Sequence, residues 1–130
     1  MATIRKFEDL EIWKTARKLA KEIIIISEST GLKTDYKLKE QIKSSSGSIM
    51  DNIAEGFERD GSIEFRQFLS IAKGSAGETR SQLYRVYDSG YIDEQILLNH
   101  LSEFEELSKR IAGFIVYLNK ADFKGIKFKQ

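Results

Sequence analysis

With 130 residues, 41% of them hydrophobic and 32% charged, the sequence suits one soluble domain that is large enough to bury a core. The net charge of +1 excludes a nucleic-acid role based on overall basicity, and the absence of cysteine excludes disulfides and thiolate metal sites. No apolar run reaches the roughly 18 residues of a membrane span, and acids replace the apolar stretch of a signal peptide, so we expect a cytoplasmic protein without membrane contact.

The complete lack of proline favours long, uninterrupted helices. The first helix is predicted from about Asp9, as its N-cap, to Ser29. Its apolar residues recur at three- and four-residue spacing: Leu10, Trp13, Ala16, Leu19, Ala20, Ile23, Ile24 and Ile26. The isoleucine run at 23–26 would also suit a strand, but its place in a periodic segment favours a helix. Four consecutive isoleucines cannot all face one core, so some are candidates for contact with another subunit.

A loop at 30–35, with Gly31 as the helix stop, precedes a second helix predicted from about Tyr36 to Phe57. The residues expected on its buried face are Leu38, Ile42, Ser45, Ile49, Ile53 and Phe57. Polar residues flank this face at Asn52, Glu55 and Arg59. They would ordinarily bond to neighbouring backbone or form salt bridges, and the functional alternative is a ligand or subunit-contact site near Glu55.

Two weak helical patches of small residues lie at 44–48 and 74–77. Folding about the turn near Gly61 brings position 47 opposite position 75. The sequence therefore predicts close backbone approach at this level, the alternatives being a hinge or an insertion site for another subunit's side chain. Gly47→Leu would then overpack the contact, at a cost of about 1–3 kcal/mol.

The third helix is predicted from Ser62, as its N-cap, to Ser89, with Gly90 ending it. Its near-heptad stripe is Phe65, Phe68, Leu69, Ala72, Ala76, Thr79, Leu83 and Val86. Asp93 caps a fourth helix that runs to about Lys120. The stripe of that helix is Leu97, Leu101, Phe104, Ser108, Ile111, Ile115 and Leu118. We therefore predict an all-α, antiparallel up-down-up-down four-helix bundle over residues 1–120, followed by a basic C-terminal tail, 121–130.

Several blocks of sequence carry a family resemblance. They are NIAEG at 52–56, FRQFLSIAKGS at 65–75, FEDLEIWK at 7–14 and the turn GYI at 90–92. On these blocks, which span about residues 7–118, the chain resembles the four-helix-bundle family named after intervening sequences of 23S ribosomal RNA genes. Met50 stands where many members have proline, which slightly alters the expected geometry of the second helix.

The resemblance implies a bundle that assembles as a ring, commonly a homopentamer, with Asn52, Glu55 and Gly56 as structural motif residues. It implies neither a settled activity nor a ribosomal role. A related branch serves as accessory protein to the reverse transcriptase of diversity-generating retroelements and binds nucleic acid through a basic surface. RNA, DNA and a reverse transcriptase are therefore candidate partners.

The sequence offers little for catalysis, since His100 is the only histidine. A di-iron bundle needs Glu-x-x-His pairs, and the residue three before His100 is Leu97. Helical RNases of the HEPN type place an arginine a few residues before the histidine, and Arg85 is too far upstream. Zinc spacing, Gly-rich phosphate loops and Ser/His/Asp sets are also lacking. We therefore predict a protein that is not an enzyme and has no catalytic, cofactor-binding or metal-ligating residues.

Basic residues at helical spacing are the strongest positive signal. The candidate nucleic-acid-binding residues are Lys14, Arg17, Lys18 and Lys21 on the first helix and Arg66, Lys73 and Arg80 on the third. Such stripes suit contacts to phosphates without sequence reading. Ordinary solvated charge is the alternative, and acids at Glu22, Glu64 and Glu78 weaken the field.

In an up-down bundle both chain termini lie beside the turn between the second and third helices. Basic residues of the termini then gather there: Arg5, Lys6, Lys120, Lys124, Lys127 and Lys129. They either neutralise Glu55, Glu58 and Asp60 or form a basic rim, which a ring would repeat and strengthen through multivalency. Phe123 and Phe128 in the tail would stack on bases or dock on a neighbouring bundle.

The leading prediction is therefore an assembly or adaptor module that forms a homo-oligomeric ring and has modest affinity for nucleic acid. The alternative is a structural, protein-recruiting scaffold without nucleic-acid contact. Salt-dependent binding of RNA or DNA distinguishes the two, because phosphate contacts weaken steeply as salt rises.

Overall fold

The computed structural model describes residues 4–120. Its four α-helices are α1 (Glu11–Ser29), α2 (Tyr36–Glu58), α3 (Ser62–Asp88) and α4 (Glu94–Lys120). Short 3-10 helices, Phe7–Asp9 and Gly31–Thr34, precede α1 and α2. No strand occurs between residues 4 and 120, and the isoleucine run lies inside α1, so the all-α, four-helix prediction is confirmed. The predicted tail at 121–130 lies outside the described residues.

Helices that follow each other in sequence pack side by side, and α1 also contacts α4, which closes a bundle. The contact between α2 and α3 is the most extensive of these, and that between α1 and α4 is the smallest. As residue numbers increase along α2, those of the contacting residues on α3 decrease: Ser45 contacts Thr79, Ser48 contacts Ser75, and Phe57 contacts Phe65. None of the four helices is long and apolar enough to cross a membrane.

Aromatic rings at the centre of the core join three of the helices. Phe57, Phe65 and Phe104 are fully buried. The Phe65 ring of α3 lies 5.9 Å from the Phe57 ring of α2 and 5.5 Å from the Phe114 ring of α4, measured between centroids. Burial of each such ring contributes about 1.5–3 kcal/mol. The predicted stripe of α2 is buried throughout, and that of α3 is buried except for the half-buried Phe68.

The buried faces of α1 and α4 differ from the prediction. In α1 the buried set includes Ile12, whereas Ile24 is 48% exposed. In α4 the buried residues are Leu97, Phe104, Leu107, Ile111, Phe114 and Leu118, while Leu101, Ser108 and Ile115 are half-buried. Apolar residues flank the core positions of α4 on both sides. Periodicity alone therefore does not determine how α4 is rotated about its axis, or which flank faces the core. The contact of Phe114 with Phe65 of α3 decides which flank is buried.

Two predicted N-caps are wrong by one residue. The N-cap of α1 is Leu10 rather than Asp9, because Leu10 is fully buried and its packing outweighs the capping preference. The N-cap of α3 is Gly61, and Ser62 is the first helical residue. The turn before it needs a left-handed residue, which is Asp60 with φ 63°. The cap at Asp93 is confirmed by a 2.9 Å hydrogen bond from the Ile96 amide to Oδ1.

Gly31 serves packing rather than helix termination. The C-cap of α1 is Thr30, whose hydroxyl donates to the Ile26 carbonyl at 2.8 Å and accepts from the Leu32 amide at 3.2 Å. Gly31 is the next residue, and a Cβ there would lie 2.7 Å from Cδ1 of the Tyr91 ring. Among the glycines between residues 4 and 120, the left-handed one is Gly90, with φ 83°, after α3. The α1–α2 loop therefore packs on the α3–α4 turn at one end of the bundle.

Candidate functional site

The basic face of α1 is exposed at all four predicted positions. Lys14 forms an ion pair with Glu11 at 3.3 Å. The Arg17 guanidinium lies 5.8 Å from the centre of the Trp13 ring. Within residues 4–120, Lys21 forms no ion pair. Lys18 lies near Glu22 and Glu103. Arg17 and Lys21 are therefore the members of this face that form no ion pair within the described chain.

The basic stripe of α3 is tied to α4 at both ends. The Arg66 guanidinium donates to the Asn119 side-chain oxygen and to the Ser62 carbonyl. Arg80 lies 3.5 Å from Glu105. Lys73, between them, is exposed and has no ion-pair partner in the described part of the chain. Because α1 packs on α2 and α4, the structure leaves the two basic stripes on separate faces of the bundle.

The motif residues of α2 have separate structural roles. The Asn52 amide donates to the Ser48 carbonyl and to the Ser48 hydroxyl, both at 2.8 Å. Gly56 is buried where α2 approaches α3, and a Cβ there would lie 2.7 Å from Cβ of Phe68. Glu55 is exposed and pairs with Arg59 at 3.2 Å. The pairing of Glu55 with its own helix agrees with the ordinary, structural interpretation of this polar flank.

Hydrogen bonds continue from Asn52 along the contact between α2 and α3. The Ser48 hydroxyl lies 3.0 Å from that of Ser75, and the Ser45 hydroxyl lies 2.8 Å from that of Thr79. Ser45 also donates to the Gln82 side-chain oxygen at 2.5 Å. Ser45, Thr79 and Gln82 are buried, so these bonds satisfy polar groups that would otherwise be costly inside the core. We call Ser45, Ser48, Asn52, Ser75, Thr79 and Gln82 the polar ladder.

The two small-residue patches therefore meet, but through serine hydroxyls. A Cβ added at Gly47, Gly74 or Gly77 would contact no atom within 4 Å. The prediction of close backbone approach at position 47, with overpacking by Gly47→Leu, is wrong because this glycine faces open space. The close approach lies nine positions later, at Gly56.

A polar cluster that the sequence did not predict lies between α1 and α4. The His100 Nε2 atom is 3.3 Å from Glu22 Oε1, and its Nδ1 atom is 2.8 Å from the Ile96 carbonyl oxygen. Lys18 lies 4.0 Å from Glu22 and 3.8 Å from Glu103. The sequence spacing alone could have paired two members of the cluster, since His100 and Glu103 are three residues apart on one face of α4. Glu22 comes from another helix, which no local pattern reveals.

An apolar groove of about 370 Å³ adjoins this cluster. Its walls include Ile25 and Ile26 of α1, Ile92 of the turn between α3 and α4, and Ile96 of α4. Ile25 is 55% exposed, and Ile24, which precedes it in the sequence but does not line the groove, is 48% exposed. The α1–α4 side of the bundle therefore combines a solvent-facing apolar patch with the charged cluster.

The basic rim expected at the other end of the bundle is only partly described. Arg5, Lys6 and Lys120 are exposed, and none forms an ion pair with a described acid. The other expected members of the rim, Lys124, Lys127 and Lys129, lie outside the described residues. The same holds for Phe123 and Phe128, the tail residues predicted to stack or dock.

Comparison with known proteins places the chain in a family. Residues 8–113 match the family described as 23S rRNA-intervening sequence protein. The fold is similar to a crystal structure of a protein with unknown function from the S23 ribosomal protein family of Bacteroides thetaiotaomicron VPI-5482, with a TM-score of 0.72 and 22% identity over 80% of this chain and 97% of that one. No curated protein matches. Since the family match covers most of the sequence, this chain belongs to the 23S rRNA-intervening sequence protein family.

Proposed function

We propose that this protein is a non-enzymatic assembly module that self-associates into a ring through the apolar end of α1. The observation that carries the proposal is the 55% exposure of Ile25 on the wall of the apolar groove, and Ile24, the preceding residue, is 48% exposed. Contiguous apolar surface of this kind marks interaction sites, because covering it is worth about 25 cal/mol per Å². Five copies is the number that the family resemblance implies.

Nucleic-acid binding is the second part of the proposal. Lys14, Lys18, Lys21 and Ile25 follow one another at spacings of four, three and four residues, so they share one exposed stripe of α1. Self-association through Ile25 would bring the basic residues of several copies near one another. Weak phosphate contacts repeated around an assembly gain avidity without any new contact.

A scaffold without nucleic-acid contact remains the second candidate. It is favoured by the local pairing of many basic residues, since Lys14, Lys18 and Arg80 each lie near a carboxylate. In this case the ring would recruit proteins, and a reverse transcriptase is the partner that the family resemblance suggests.

Mass measured in solution tests the assembly. We expect the wild-type chain to elute as an oligomer in light-scattering chromatography and Ile25→Lys to shift it to the monomer. Ile71→Lys on α3 is the matched control, because Ile71 is 52% exposed but lies away from the groove. A wild-type monomer at high protein concentration would remove the ring from the proposal.

Fluorescence anisotropy with labelled single-stranded RNA and duplex DNA tests the second part. We expect binding at low salt that weakens steeply as salt rises, and a loss of affinity in the double variant Arg17→Glu, Lys21→Glu. The double variant Lys33→Glu, Lys37→Glu, around the start of α2, is the control because it makes the same change in total charge at two other exposed lysines. An oligomer with no binding at low salt would favour the scaffold.

A further inference from the structure

We propose that Glu22, His100 and Glu103 form a binding site for one divalent transition-metal ion, best matched by Zn²⁺, between α1 and α4. One ligand atom from each side chain lies within 4.8 Å of the other two. The proposal departs from the sequence prediction of no metal ligands. It does not depend on ring assembly or on nucleic-acid binding, because all three residues belong to one chain.

The orientation of the His100 ring is the first argument. Its Nδ1 atom is 2.8 Å from the Ile96 carbonyl oxygen, and a carbonyl oxygen only accepts hydrogen bonds. Nδ1 is therefore the donor, which leaves Nε2 as the ring nitrogen that can coordinate a metal ion. Metal-ligating histidines are commonly held in this way, with the second ring nitrogen donating to a backbone carbonyl.

The distance between His100 and Glu22 is the second argument. Nε2 faces Glu22 Oε1 at 3.3 Å, and two electron-rich atoms so placed need a proton or a metal ion between them. Two ligands on a tetrahedral zinc ion with bonds of about 2.0–2.1 Å lie about 3.3–3.4 Å apart. The observed separation thus suits a shared metal ion.

The charge around the cluster is the third argument. Lys18 already lies within 4.0 Å of both carboxylates, which shows that the pair attracts a cation. The lysine side chain is 68% exposed, and such surface pairs are weak. A divalent ion coordinated directly by three ligands should displace it. Ile25 and Ile96, which line the adjoining groove with Glu22 and His100, give the cluster apolar neighbours on one side.

The donor set selects the class of metal. One imidazole nitrogen and two carboxylate oxygens suit Zn²⁺ and its neighbours in the transition series, whereas Mg²⁺ and Ca²⁺ prefer oxygen ligands alone. Three protein ligands leave at least one position for water. Because His100 is the only histidine and cysteine is absent, the sequence offers no second imidazole or thiolate to compete for the ion.

Calorimetric titration of the untagged, chelator-treated chain with Zn²⁺ tests the site. We expect one ion to bind per chain. His100→Gln and Glu103→Gln should each lower the affinity by about tenfold or more. Lys18→Gln should tighten binding about two- to fivefold because it removes the competing ammonium group. Lys109→Gln, which loses a lysine paired with Glu105 elsewhere on α4, should leave the affinity unchanged.

Nitrogen-15 NMR of the single histidine provides a readout that does not depend on the variants folding. Zn²⁺ should shift the Nε2 resonance and leave the Nδ1 proton in place. Absence of saturable binding to the wild-type chain at millimolar Zn²⁺ would overturn the proposal. Undiminished binding in His100→Gln, or no tightening in Lys18→Gln, would likewise overturn the placement of the ion.

Discussion

The contact between α2 and α3 and the contact between α1 and α4 are built differently. The first is the most extensive in the bundle and contains Gly56 against Phe68 together with the polar ladder, in which Ser45, Thr79 and Gln82 are buried. The second is the smallest and leaves an open apolar groove beside a half-exposed charged cluster.

This difference separates a contact that specifies the fold from a surface that is available for binding. Buried hydrogen bonds and a glycine at a close approach define one relative position of α2 and α3, because a shift would break the bonds or create a clash. Exposed isoleucines and surface ion pairs define a position much less strictly. The proposed subunit contact and the proposed metal site both lie on the α1–α4 side.

The largest expected effect comes from the same substitution at two glycines of α2. Gly56→Ala should lower the free energy of unfolding by about 1–3 kcal/mol, because Cβ of Phe68 can move only together with α3. Gly47→Ala should instead raise it by about 0.5–1 kcal/mol, since its Cβ meets no atom within 4 Å and alanine favours a helix. Urea unfolding measures both, and changes of equal sign would contradict the assignment of the close approach to Gly56.

The polar ladder should have the next largest effect. Thr79→Val keeps the shape of a fully buried side chain but removes one of the hydrogen-bond partners of the Ser45 hydroxyl, at a cost of about 1–2 kcal/mol. Ser45→Ala should be non-additive with it, because the shared hydrogen bond is lost only once. A double-mutant cycle in urea measures this coupling. Strict additivity would mean that the two hydroxyls stabilise α2 and α3 independently.

The stability of the fold is expected to depend on alkaline pH through the hydrogen bond between the α3–α4 turn and the start of α2. The Tyr91 hydroxyl donates to Asp35 Oδ2 at 2.9 Å, and this hydrogen bond, with burial and the carboxylate charge, raises the pKa of Tyr91 above its ordinary value of 10.0. Because the folded pKa is the higher one, the stabilisation is complete below about pH 10 and is lost as the pH rises through the folded pKa.

Spectrophotometric titration of the tyrosines measures this shift. Asp35→Asn should move the Tyr91 titration to lower pH while retaining Oδ1 as the acceptor for the Leu38 amide at the start of α2. Tyr91→Phe identifies the signal by removing it. An unchanged titration in Asp35→Asn would show that Asp35 is not the cause.

The smallest effect is expected on the α1–α4 side. Lys18→Gln should change the free energy of unfolding of the metal-free chain by less than about 0.5 kcal/mol, because its two ion pairs are 3.8 and 4.0 Å long and the lysine is mostly exposed. Urea unfolding with a chelator present measures this. A loss of unfolding free energy as large as that of Thr79→Val would show that the α1–α4 contact contributes as much to stability as the α2–α3 contact, which would contradict the comparison.

Much of the secondary structure was predictable because helix formation depends on neighbours within four positions. The spacing of Leu38, Ile42 and Ile49 is enough to predict α2 and its buried face, and Asp93 is recognisable as a cap from its place before α4. The rotation of α4 was not predictable, because Leu101 and Leu107 are both apolar and only packing on α3 distinguishes them.

The sequence by itself determined four long helices, the residues of one complete core face and the membership of the chain in its family. Only the tertiary structure decided that Gly56 rather than Gly47 marks the close approach, and that Glu22 meets His100. The physical reason is distance along the chain: periodicity and capping act within one or two turns. Steric contact and charge pairing act through space, between residues that the fold alone brings together.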